Sequence, residues 1–460
     1  MVRLLFWMSM NPDYNELIEP ELESLAELFG ITPEQFKLRH HKHEESDETD
    51  RFDEDGSYMK FDDYYMALVC GETREDKRVK KHRQNVFYYA TVPNVETAIA
   101  MFDRSVLIKG IIDVWTEGKT YEEILNQIRE KYEHLVQQKL LGKTWCTKYN
   151  CFNGKNDQNR LVEILEGMAE IFDRAGKVDI KNPETKIAII ESYAGFTSKD
   201  LRTIYFGHYI RDRGDIGYWW DRYSLSRRPI LAPTTLENML AFIMTNLAMV
   251  KKGSVVLDPF VGSAGSLISA THFGAVCLGS DIDMRILQGW AMAHHNRNLP
   301  PSDLNKNAYT NFIFYGLPIP DMLRFDNRCT VWKSMDESSY KGKEWIDAII
   351  ADPPYGIRAS AKNRRLLNDG AGDGVVDCLI ETLLRIAETM LVPRGRLVFL
   401  LPSRNDRMAE TLQMVHRSKL HLRHVGLQTL TGGASRFVVV LVKTNGNQAN
   451  NISEQDKCIC

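Results

Sequence analysis

The chain has 460 residues, 43% hydrophobic and 26% charged, with a formal net charge of −3. That length exceeds one ordinary domain and can bury sizeable cores without staples, while the near-neutral charge argues against a uniformly basic nucleic-acid binder and leaves room for a local basic face. No apolar run reaches the ~20 residues of a membrane span, and eight cysteines without a dense framework imply reduced thiols of the cytosol or nucleus; the expected location is cytoplasmic.

The apolar run at 4–10 reads as a first strand, since Asn11, Pro12 and Asp13 follow it without a small-residue cleavage site. Leu17, Leu22, Leu25 and Leu28 then recur at helical spacing, with Gly30 as the stop. The acidic stretch at 40–55 is expected as an exposed loop; its His40, His41 and His43 lack the framework of a metal site, Cys146 and Cys151 lack a second pair, and no metal is expected. Strands are predicted at 64–69 and 86–91, flanking a segment that carries Arg74, Lys77, Arg78 and Lys80. Helices follow at 95–102 and 121–141, on either side of an apolar segment at 105–115, then a strand at 145–152, a helix at 159–172 and a strand at 186–193. Such alternation describes one or two small α+β units over 1–195.

Between 196 and 234 the composition shifts: Tyr205, Phe206, Tyr209, Tyr218, Trp219, Trp220 and Tyr223 interleave with Arg202, Arg211, Arg213, Arg222, Arg227 and Arg228. Two readings stand, a stacking and phosphate-binding surface for nucleic acid or a linker whose aromatics pack.

From 235 to 445 the pattern becomes βα units: helix 235–249, strand 254–257, helix 266–272, strand 275–280, helix 284–297. A doubly wound parallel sheet is expected. Its first strand ends in Asp258, Pro259, Phe260, Val261, Gly262, Ser263, Ala264 and Gly265, a turn whose glycines let backbone approach a ligand. The second ends at Asp281 and Ile282, the place of a ribose-binding acid. An acid at the head of the turn repels a pyrophosphate and suits a cationic ligand, so S-adenosylmethionine fits better than a dinucleotide.

A further buried strand, 346–351, stops at Asp352, Pro353, Pro354, Tyr355 and Gly356. Prolines cannot extend a ladder, so they set a stiff backbone at the strand's carboxyl end, where an acid and a carbonyl accept from an amino group and a ring stacks on a heterocycle. Helix 375–391, strand 396–401 and the pair 420–429 and 435–442 complete a seven-stranded sheet with an antiparallel hairpin at its edge. The 446–460 tail, ending Cys458, Ile459, Cys460, is expected to be disordered.

Asp352 to Arg358, Asp258 to Gly262, Gly279 to Asp283, and Tyr223, Ser224 and Leu225 with Arg227 and Arg228 resemble the eukaryotic tRNA guanine N2-methyltransferases that modify the guanine at position ten. The resemblance implies a Rossmann-like, seven-stranded class I methyltransferase domain preceded by a ferredoxin-like and THUMP α+β RNA-binding region, with S-adenosylmethionine as cofactor and tRNA and a small zinc-containing activator subunit as partners. It assigns Asp258 and Gly262, within the turn of Pro259, Phe260, Ser263 and Gly265, to the methionine part of the cofactor. Asp281 and Ile282 fall at the ribose, and Asp326 and Asn327 at the adenine. Asp352, Pro353, Pro354 and Tyr355 form the catalytic corner. One departure is Ala264 where the family carries glycine, a methyl that crowds the turn if the position needs a positive φ. Other readings of the residues alone are an amino-methyltransferase on another RNA or DNA base and a non-catalytic RNA-binding scaffold.

Overall fold

The computed structural model describes residues 1–11, 13–40, 86–195, 199–232, 235–288, 294–296, 307–329, 344–354, 371–403, 415, 417–429 and 435–444. The strand expected at 64–69, most of the acidic stretch with His41 and His43, Tyr355 and the 446–460 tail lie outside them. The described residues form two compact units: 1–10, 29–40, 86–195 and 199–217 in the first, and 11–28 with everything from 218 onward in the second.

The first unit is built on β1 (Val2–Met8), β2 (Lys37–His40), β3 (Phe87–Val92), β4 (Ile108–Gly118), β5 (Trp145–Phe152), β6 (Thr185–Tyr193) and β7 (Leu201–Asp212). They form one sheet in the order β2-β3-β1-β4-β7-β6-β5, antiparallel except for the parallel β5–β6 pair. Helices pack on it; the one at Tyr121–Gln127 opens with a capping box between Thr120 and Glu123 that satisfies two otherwise orphaned N–H groups. Its apolar side joins Ile124 and Ile128 to Ile187, Ile189, Ile204 and Phe206 in one core.

The 196–234 stretch expected as a linker is largely built into the two units. Residues 201–212 are the core strand β7, with Tyr205 and Phe206 fully buried. Gly207 is indispensable there, because a Cβ on it would lie 2.1 Å from the Asp113 carbonyl of β4. Trp220 and Tyr223 are buried in the second unit, where the Trp219 ring stacks on His272 and Tyr223 hydrogen-bonds the same imidazole at 2.9 Å. Arg213 and Arg228 are buried too. These aromatics are core, and the stacking-surface reading does not hold for them.

In the second unit, β8 (Ile230–Leu231), β9 (Val255–Asp258), β10 (Val276–Asp281), β11 (His294–His295), β12 (Asp321–Arg324), β13 (Ile346–Ala351), β14 (Leu391–Ser403), β15 (Leu420–Thr429) and β16 (Ser435–Lys443) follow in turn. Seven of them make a sheet in the order β12-β10-β9-β13-β14-β16-β15. It is parallel through β14, with β16 antiparallel to both β14 and β15, the arrangement of a class I methyltransferase. The Ala371–Met390 helix lays Ile380, Leu383, Leu384 and Ala387 on β13, β14 and β16. The helix expected over 284–297 spans only Met284–Leu287. The chain then pairs β11 with β8, and the Asn296 amide donates to the carbonyls of Leu225, Ser226 and Arg228, tertiary bonds that outweigh helical periodicity.

The Ile18–Leu28 helix belongs to this second unit. Its buried Glu21 accepts a 2.8 Å bond from the Asn246 amide. Arg396 of β14, almost wholly buried, donates to Ser24 Oγ at 3.0 Å and the Leu247 carbonyl at 2.8 Å and pairs with Glu27. A buried guanidinium stripped of such partners costs about 3–5 kcal/mol, so this helix and β14 depend on each other. Among the described residues no helix is long and apolar enough to cross a membrane.

Candidate active site

Three parallel strands deliver acids to one edge of the sheet. β9 ends at Asp258, β10 at Asp281, and β13 runs into Asp352. The crevice beyond the carboxyl ends of such strands is where ligands sit in an open α/β sheet.

Asp258 is 2% exposed. One carboxylate oxygen accepts from the Phe260 N–H at 2.9 Å and the other from the Ser266 hydroxyl. Asp281 takes the Gly262 N–H at 2.8 Å on one oxygen and the Asp283 N–H at 2.8 Å on the other. The turn from Pro259 to Gly265 is therefore held at both ends by carboxylates from adjacent strands. The Val261 N–H also donates to the Ser280 carbonyl at 3.0 Å. Gly279 makes room for it, since a Cβ there would come within 2.8 Å of the Val261 side chain.

Backbone conformation explains the residue types in this turn. Gly262 has φ +48, and the nearest atom to a Cβ placed on it is 3.9 Å away, so space is open beside it. Ala264 also lies in the left-handed region, at φ 63, and is fully buried, so the methyl flagged in the sequence occupies a position that favours glycine. Such a conformation costs an L-residue roughly 1–2 kcal/mol. Gly265 begins the Gly265–His272 helix with its Cα against Leu236, whose Cβ would be 3.1 Å from an added methyl. Ser263 is buried and donates to Thr235 Oγ1 at 3.2 Å.

The remaining predicted residues divide in character. The Phe325 N–H donates to the Asp281 carbonyl at 3.2 Å, bringing Asp326 and Asn327 alongside. Asn327 is buried beneath the turn, accepting from Ser280 Oγ at 3.1 Å and donating to the Pro259 carbonyl, so it buttresses the loop. Asp326 is partly exposed and held below the usual carboxylate range by Arg328. Ile282 stands exposed beside Asp281, and Phe260 packs partly on the core. At the third corner Pro353 is buried, Pro354 exposed and Asp352 between the two. The Arg436 guanidinium of β16 lies 3.9 Å from the Asp352 carboxylate. Sequence reasoning did not single out Arg436, Thr235 or Tyr14, whose hydroxyl donates to Glu237; the neighbourhood arises from strand order, and none of the three carries a motif.

Burial pushes the Asp258 carboxyl up to about 7, with the negative charges of Asp281 and Asp352 adding to the effect, and burial raises Asp281 as well. Three convergent carboxylates, two of them reluctant to ionise alone, suit a cationic ligand and oppose a pyrophosphate. Among the described residues no group of three or more His, Cys, Asp or Glu side chains could hold a metal.

The fold defines a class I methyltransferase. Residues 75–214 match the Tmrp11 THUMP N-terminal domain. The tRNA (guanine(10)-N(2))-methyltransferase TRMT11 of Mus musculus is 31% identical over 73% of this chain and 75% of its own length. The tRNA (guanine(10)-N(2))-methyltransferase of Saccharomyces cerevisiae is 28% identical over 77% and 84%. Among solved structures, TrmN from Thermus thermophilus is 18% identical over 83% of this chain and 95% of that one, with a TM-score of 0.37, too low to carry an argument. The chain belongs to the family of tRNA (guanine(10)-N(2))-methyltransferases.

Two predictions follow from the crevice chemistry. Folded Asp258 holds its proton to about 7 against an ordinary value of 3.8, so its contribution to stability is complete below about 4 and is lost as pH rises through 7. Thermal melts of the ligand-free chain are expected to show stability falling between about pH 4 and pH 7, with a flatter profile in Asp258→Asn. Replacing Ala264 with glycine should relieve the left-handed strain and raise the unfolding free energy, read from denaturant melts, by up to about 1 kcal/mol, after the larger entropy of the unfolded glycine chain is deducted; an unchanged or lower denaturant midpoint would contradict the strain.

Proposed function

We propose that this chain methylates the exocyclic N2 amine of the guanine at position 10 of tRNA, using S-adenosylmethionine. The observation that carries the reading is the Asp352, Pro353, Pro354 corner at the carboxyl end of β13, in the same crevice as the acid-tethered turn. The names of the relatives support the substrate, and the THUMP match supports an RNA partner.

The residues fit the cofactor. Asp258 and the open face of Gly262, within the turn of Pro259, Phe260, Ser263 and Gly265, would hold its cationic methionine end. Asp281, beside Ile282, still has lone pairs for a ribose, and Asp326 would meet the adenine, with Asn327 keeping the loop in position. When bound, S-adenosylmethionine supplies an electrophilic methyl group and leaves as the neutral thioether.

The guanine amine is a poor nucleophile because its lone pair is delocalised into the ring. Asp352 and the Pro353 carbonyl accept its two N–H bonds and turn the lone pair toward the methyl, Pro354 keeps the backbone stiff, and Tyr355 stacks on the base. The nitrogen gains the methyl as the sulfonium C–S bond breaks, and the proton it sheds passes to solvent water. A guanine in a tRNA stem must first be swung out of its stack, at a cost of roughly a few kcal/mol.

A small zinc-containing activator subunit is the proposed partner. β12 is the edge of the sheet, and exposed Ile313, Phe314, Ile319 and Leu323 stand on or near it. A second chain would cover an apolar edge of this kind.

Single-turnover methyl transfer by Asp352→Ala tests the reading. The rate should fall by about 10²-fold or more, the scale for loss of a group that acts on the reacting atoms, while cofactor affinity measured by titration calorimetry stays near that of the wild type. Transfer at the wild-type rate would remove Asp352 from the mechanism.

A further inference from the structure

An Asp-Pro-Pro corner grips an amino group without choosing the base that bears it, since adenine, cytosine and guanine all offer one. Something beside the corner has to read the rest of the heterocycle, and the structure places one charged donor there.

Arg436 sits on β16 directly opposite Gln428 of β15 and Pro402 of β14. Its Nε donates to Gln428 Oε1 at 2.6 Å, and Gln428 is itself buried, so the guanidinium plane is fixed. Its Nη1 points across the end of β14 to within 3.9 Å of Asp352 Oδ1, close enough for attraction and too far for a hydrogen bond. The side chain is only 15% exposed. Of the five N–H donors of a guanidinium, the Nε–H alone is hydrogen-bonded among the described residues. The remaining donors reach solvent at the mouth of the crevice, beside the Tyr14–Glu237 pair, and can exchange water for a ligand's acceptor.

Guanine has the matching edge: the N2 amine donates, and O6 on the same edge accepts, with N1–H between them. An acceptor and a donor set side by side at the strand ends complement that order.

We propose that Arg436 reads the target base, donating to guanine O6 while Asp352 holds the N2 amine; this rests on the function proposed above. The guanidinium would then add selectivity to a corner that lacks it, because a site built to hydrogen-bond a polar group discriminates strongly against an analogue without it.

The test pairs enzyme and substrate changes. The full chain and its Arg436→Met variant are compared in single-turnover transfer to a tRNA carrying guanine at the target position and to the same tRNA carrying 2-aminopurine, which keeps the amine and lacks O6. The wild type should favour guanine. Arg436→Met should lose roughly tenfold to a hundredfold on guanine and change by less than about twofold on 2-aminopurine, so that the preference collapses, and Arg436→Lys should recover part of the guanine rate alone. Calorimetric binding of the cofactor verifies folding, and if Arg436→Met fails to bind it, Arg436→Gln carries the comparison. Equal losses on both tRNAs would show that Arg436 acts only through Asp352 or the fold and would overturn the proposal, as would no loss on either. With the proposed activator subunit supplied, no transfer by the wild type to the guanine tRNA would instead refute the underlying function, and this assignment with it.

Discussion

The second unit depends on two carboxylates, one buried and one partly buried, holding one turn. Asp258 and Asp281 come from neighbouring parallel strands in register, with Gly279 paired to Asp258, and between them they engage the N–H groups of Phe260 and Gly262 and the Ser266 hydroxyl. A loop that must expose backbone to a ligand cannot be stabilised by packing its own side chains, so the acids below it supply the order. The same acids then set the electrostatics. Their mutual repulsion and desolvation are relieved when a cation arrives, which couples the rigidity of the turn to the sign of the ligand.

Much of the catalytic unit was legible because its strands are short apolar runs ending in chemistry. The bounds of β15 and the start of β16 follow the sequence reading, and Asp258, Asp281 and Asp352 fall at the strand ends where βα alternation puts them. What escaped did so for physical reasons. β7 was hidden because interleaved Tyr and Arg read equally as surface or core, and only Gly207 crossing β4 at close range reveals a paired strand. β12 and β2 are four-residue edge strands rich in polar groups, with no periodicity to find. Arg436 lies in an ordinary strand, and its place beside Asp352 comes from the order β13-β14-β16, which no local pattern encodes.

The Ile18–Leu28 helix makes the same point about domains. In sequence it follows β1 of the first unit, yet Glu21, Ser24 and Glu27 bind Asn246 and Arg396 of the second. A division of the chain drawn from composition at one point cannot see this. Removing the N-terminal residues would leave Arg396 buried without its carboxylate, so the catalytic unit as a folding unit includes chain that precedes the THUMP-matching segment at 75–214.

The central claim is that the acid-lined crevice serves one amine on one base of tRNA. The most direct measurement is a mass-resolved map of methylated guanines in tRNA from cells with and without this protein. The account predicts loss of N2-methylation confined to the guanine at position 10. Retention of that mark, or loss of methylation on a different base, would contradict it.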